Sequence, residues 1–203
     1  FGLAKPTDQT KGYITSAVLV GTMAVLSVLY FHHRQEKDFY SPKHLILIAA
    51  TLVAFLAIGR FLVIDRTIIP YIYPVAAFGL TLAIIYNFEF GMVLSLFLSV
   101  LLTFERNREA ELALFYLLPT LVGMLTIGRA RRISSFIGSG LVTGLVGMAV
   151  VVSFRLGDIY TDTLGITSLV SASLINGLLA GSLALLLQYI FSQVLDIPTT
   201  LQL

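Results

Sequence analysis

The residues of this chain that could carry chemistry are few, and most sit where the chemistry would not work. His32, His33 and His44 all fall in one polar connection. Adjacent imidazoles suit metal ligation or proton sensing, but here they read as a solvated loop at a helix end. An intramembrane protease needs a Ser/His pair, two aspartates or an HExxH motif within its apolar segments. A retinal protein needs a lysine there, and a bis-histidine haem needs two axial ligands. No apolar segment contains an aspartate, and all four lysines precede residue 44. Without cysteine there is no disulfide, thiolate metal site or cysteine nucleophile. An active site within the chain is therefore not expected, and neither is a cofactor.

Three polar residues remain as candidate ligand or gating positions. Arg60 lies in the outer part of an apolar segment, where a charge is expensive and often functional. Its plain alternative is snorkelling to the interface, paired with Asp65, Glu105 or Glu109. Glu105 is the second candidate. The third is Asn176, midway along the last segment, which can contact a ligand or hydrogen-bond a neighbouring helix. The small residues speak of packing. Gly140 and Gly144 form a GxxxG, with Gly147 one turn on, and Ser173, Gly177 and Gly181 recur every fourth residue. Such patterns let helix backbones approach closely, either within the bundle or across a dimer.

The elements that must position these residues are apolar. The chain has 203 residues, 57% hydrophobic and 12% charged, against roughly a quarter charged in a soluble domain. A net charge of +2, dispersed along the chain, is no nucleic-acid footprint. Crossing the hydrocarbon takes about 20 apolar residues. Seven stretches qualify, near 13–31, 44–64, 68–86, 90–104, 110–127, 133–154 and 164–195. None alternates at period two, so an outer-membrane barrel is unsupported. The expected fold is all-α, a polytopic membrane protein whose seven-helix bundle spans residues 13–195.

Ser41-Pro42 marks a helix start. Pro70 and Pro74 are expected to kink the third stretch, and Pro119 the fifth. The fourth stretch is short, which draws Asn87 and Glu89 towards the interface. The seventh is long: about 32 residues make roughly 48 Å of helix against roughly 30 Å of bilayer. Its last turns, Gln188 to Leu195, are expected to project from the membrane. Tyr189, Ile190, Phe191, Val194 and Leu195 are costly to expose there. They are expected to touch a second protomer or a downstream domain, with Gln188, Tyr189, Phe191 and Leu195 as the signal output.

Seven spans put the termini on opposite faces. The Lys/Arg bias is nearly balanced, with six on one side and seven on the other. The dense Arg129-Arg131-Arg132 cluster favours the N-terminus outside and the C-terminus inside.

The segment from Tyr73-Pro74-Val75-Ala76-Ala77 through Tyr86-Asn87-Phe88-Glu89 resembles the membrane domain of bacterial seven-transmembrane HD-type phosphohydrolase receptors. So do Arg129-Ala130-Arg131-Arg132, leading into a glycine-rich helix, and the terminal Asp196-Ile197-Pro198-Thr199-Thr200-Leu201-Gln202-Leu203. The resemblance implies that 1–12 is an extracellular linker from an N-terminal sensor, and 196–203 a cytoplasmic junction to a metal-dependent HD domain that hydrolyses cyclic di-AMP. Metal ions are expected in that domain alone, and no catalytic residue carries over. The implied partners are the bilayer of the bacterial plasma membrane, the chain's own flanking domains and, as a candidate, a second copy. The competing reading is a small transporter or lipid-handling protein. Repeated halves, broken helices and polar residues at the bilayer centre would favour it.

Overall fold

Proline has a fixed φ and no N–H, which suits it to a first helical turn, and helix α1 (Pro42–Val63) begins at Pro42. The structure, a computed structural model, describes residues 42–63, 66–103, 109–128, 132–156 and 163–196. The expected first span at 13–31, the linker 1–12 and the junction beyond Asp196 lie outside them. Among the described residues the regular elements are all helices. They are α1, α2 (Ile69–Ile72), α3 (Ala76–Ile85), α4 (Phe88–Thr103), α5 (Glu109–Ile127), α6 (Ile133–Arg155) and α7 (Thr163–Leu195).

Four helices are long and apolar enough to cross a membrane, over Lys43–Leu62, Ala110–Ile127, Ile133–Arg155 and Leu164–Leu195. Shorter apolar segments run over Ile69–Ile85 and Phe88–Thr103. The third stretch departs from expectation: it is broken, not kinked, between α2 and α3. Pro70 and Pro74 stand one turn apart, and Pro74 has no N–H to offer the Pro70 carbonyl. Instead Val75 N bonds to Tyr73 O at 2.9 Å and Ala77 N to Pro74 O at 3.1 Å, tight turns in place of a helical ladder. Pro119, with no second proline beside it, leaves α5 continuous.

The other ends follow local chemistry. Asn87 Oδ1 accepts the Phe90 amide at 2.8 Å, satisfying an orphan donor at the start of α4. Gly128, at φ +56°, closes α5 in the left-handed conformation that glycine adopts freely. Asp196, at φ 53°, ends α7, and aspartate tolerates that region better than most residues.

Helix α3 forms the centre and packs on α4, α5 and α7, while α6 lies between α5 and α7. Every residue from Ala76 to Leu82 is buried. Gly79 and Gly91 let α3 and α4 close up, since a Cβ on Gly91 would stand 3.0 Å from Gly79 O. Large apolar side chains face outward, as at Phe61 (84% exposed) and Leu125 (67%). Along α4 the small hydroxyl residues face inward. Ser95, Ser99 and Thr103 are buried along α4, each bonding the carbonyl four residues back. Apolar outside and self-satisfied polar inside is the arrangement lipid demands.

Candidate functional site

A carboxylate within an apolar stretch must find a partner or lose its charge. Glu111 lies in the first turns of α5, where the helix dipole favours an anion, and Arg155 ends α6, where it favours a cation. The two helices pack together, so the charges meet at one end of the bundle. Arg155 Nη2 stands 3.2 Å from Glu111 Oε1, with side chains 13% and 5% exposed. Tyr71 of α2 completes the cluster. Its hydroxyl donates to Glu111 Oε1 at 2.5 Å and accepts from Arg155 Nη2 at 3.2 Å. The Tyr71 ring meets Phe115 edge-on at 5.0 Å, and Phe115 packs edge-on against Tyr116. Among the described residues, buried Arg155 Nε has no hydrogen-bond partner.

The helix break beside Tyr71 frees backbone carbonyls, and neighbouring side chains fill them. Tyr116 of α5 donates its hydroxyl to Pro70 O at 2.9 Å, the carbonyl that Pro74 cannot serve. Asn176 of α7 donates Nδ2 to Tyr73 O at 2.7 Å, since the Ala77 amide is turned to Pro74 instead. Tyr73 in turn donates its hydroxyl to Phe55 O of α1 at 2.7 Å. Residues 70–75 are thus held by α1, α5, α6 and α7 at once. Broken helices in transporters line ligand sites; here Pro70 O and Tyr73 O are occupied by the protein itself.

Of the residues anticipated from sequence, Asn176 belongs to this assembly as a bridge between helices. Arg60 lies exposed in the last turn of α1, while Glu111 is buried. Glu105 lies outside the described residues. Gly140, Gly144, Gly177 and Gly181 come together where α6 crosses α7. A Cβ on Gly140 would stand 2.6 Å from Gly177 O, one on Gly177 would overlap Gly140 O and Gly144 N, and one on Gly181 would stand 2.5 Å from Phe136 O. A Cβ on Gly144 would lie 3.3 Å from Ser173 O. Gly147 instead faces Phe115, at 3.1 Å.

At the far end of α7 the expected exposed set divides. Phe191 (1% exposed) joins the chain's own core and Gln188 (2%) is buried, whereas Tyr189 (54%), Ile190 (41%) and Val194 (47%) face outward. The expectation of an outside partner therefore fails for Phe191: the helix turns that side chain onto its own bundle. Leu195, half-buried, packs against the same core. His44 meets Tyr86, whose hydroxyl lies 3.3 Å from Nδ1, an edge-on pair joining α1 to the end of α3.

Sequence reasoning missed Glu111, Tyr71 and Arg155. A signal was present: Glu111 is the one carboxylate inside any of the seven apolar stretches. Arg155 falls one residue beyond the expected stretch at 133–154, although it is the last residue of α6.

An all-helical bundle with lipid-suited outer faces and a buried ion pair at one end is a multi-pass membrane domain. The chain belongs to the family of 7TM receptors with an intracellular HD hydrolase, whose model matches residues 11–199. No curated protein and no solved structure matches it significantly.

Proposed function

We propose that this chain is the transducing domain of a bacterial plasma-membrane receptor. Seven spans carry it across the bilayer with the N-terminus outside and the C-terminus inside. An extracellular sensor ahead of the bundle controls a cytoplasmic HD domain behind it, and that domain hydrolyses cyclic di-AMP. Family membership over residues 11–199 supports the architecture. The observation that carries the transducing role is α7, a single helix of 33 residues. At 1.5 Å per residue it is roughly 50 Å long, more than the bilayer needs, and unbroken from the Asn176 bridge to Leu195.

A continuous helix moves as a rod. A small shift near Asn176 reaches Tyr189, Ile190 and Val194 as displacement or rotation, and these outward-facing side chains are where the HD domain engages. The test uses the full-length receptor in vesicles, with cyclic di-AMP as substrate. Hydrolysis is expected, and inserting two alanines after Gln193, which turns the downstream domain by about 200°, is expected to change its rate. Hydrolysis unaffected by the insertion would make α7 an anchor and nothing more.

A further inference from the structure

The segment between α2 and α3 has more ties than its length requires. Residues 70–75 contain two prolines and tight turns where a helical ladder would run. The segment keeps short-range backbone bonds of its own, Tyr73 N to Ile69 O and Val75 N to Tyr73 O, and is held besides by side chains from its neighbours. Tyr71 binds the Glu111–Arg155 pair. Two residues on, Tyr73 O accepts Asn176 of α7. The buried ion pair, through the Tyr71 hydroxyl, and the long helix, at Tyr73 O, thus both hold the same short segment.

The ion pair suits a two-position element. Its members come from two different helices, both side chains are largely buried, and Arg155 Nε has no hydrogen-bond partner among the described residues. A buried charge pair is stable while intact and costly when one member is withdrawn. That favours discrete arrangements over gradual deformation, which coupling between sites requires.

We propose that residues 70–75 are the coupling element of the domain: the Glu111–Arg155 pair, through Tyr71, sets the position of the break, and Asn176 passes that position to α7. This rests on the receptor reading, in which α7 drives the HD domain. Glu111 and Arg155 are then positioning residues, acting on the output through Tyr71, Tyr73 and Asn176.

The test is a double-mutant cycle in the full-length receptor in vesicles, with hydrolysis of cyclic di-AMP as the readout. Tyr71→Phe removes the hydroxyl that joins the break to the ion pair and leaves the pair intact. Asn176→Ala cuts the bond to α7. Thr81→Val, equally buried but bonded within α3 to Ala77 O, is the control. Thermal midpoints in detergent establish that each variant folds, and Asn176→Ser replaces Asn176→Ala if the latter does not. Each single change is expected to alter the rate by about two- to thirtyfold, the range of coupling residues. The double variant is expected to add little, because both cut one route, and Thr81→Val to stay at the parent rate. The insertion after Gln193 separates two failures. If it changes the rate while Tyr71→Phe and Asn176→Ala do not, or their effects multiply, the coupling element is wrong and the receptor reading stands. If the insertion too is silent, both fall.

Discussion

The Glu111–Arg155 pair shows how position decides the worth of a charge. An exposed pair contributes little, but these side chains are 5% and 13% exposed, and loss of Glu111 takes away the carboxylate that faces Arg155. Glu111→Leu alone is expected to destabilise the domain by about 3–5 kcal/mol, because it leaves Arg155 charged and unpaired. The triple change Glu111→Leu, Arg155→Met and Tyr71→Phe removes both charges and the Tyr71 hydroxyl together. It is expected to restore stability to the parent's level or above, as apolar replacements of buried ionic clusters do. Thermal unfolding in detergent micelles checks both. A triple variant no better than the single would mean the cluster's polar groups are otherwise satisfied.

At the scale of elements, the crossing of α6 and α7 is set by glycine. Gly177→Ala already places a Cβ against the backbone at Gly140 and Gly144, and backbone cannot step aside as a side chain can. Gly177→Leu is expected to cost about 1–3 kcal/mol or more. Gly138, on the open side of α6 with nothing within 4 Å of an added Cβ, is the counter-case. There Gly138→Ala is expected to stabilise by about 0.5–1 kcal/mol through helix propensity. Denaturation midpoints of the two alanine variants should move in opposite directions; a fall in both would place Gly138 at an unseen contact.

Helices α4 to α7 were legible in sequence because hydrophobic length and breaker residues mark them locally; α6 and α7 match their expected stretches within a residue at each end. The break after α2 was not, because one proline kinks and two can sever, and the outcome depends on who fills the freed carbonyls. Tyr116 and Asn176, 46 and 103 residues away, do that. The ion pair was hidden for the same reason: Glu111 and Arg155 look like helix-end charges until the bundle brings them together.

For the whole molecule, orientation comes first. The sequence has no cysteine, so Thr7→Cys and Thr200→Cys can each be labelled alone with an impermeant thiol reagent. Labelling from opposite faces of the membrane, Thr7→Cys from outside, is expected of seven spans; labelling from the same face requires an even number. The central claim is that α7 delivers rotation to the HD domain, and the most direct test is phased insertion. One to four alanines after Gln193 turn the downstream domain by about 100° each, so two turn it by about 200° and four return it to within about 40° of the start. Transduction through α7 predicts hydrolysis of cyclic di-AMP by the full-length receptor that departs most at two residues and recovers at four. A rate that is flat across the series, or falls steadily with inserted length, would contradict it.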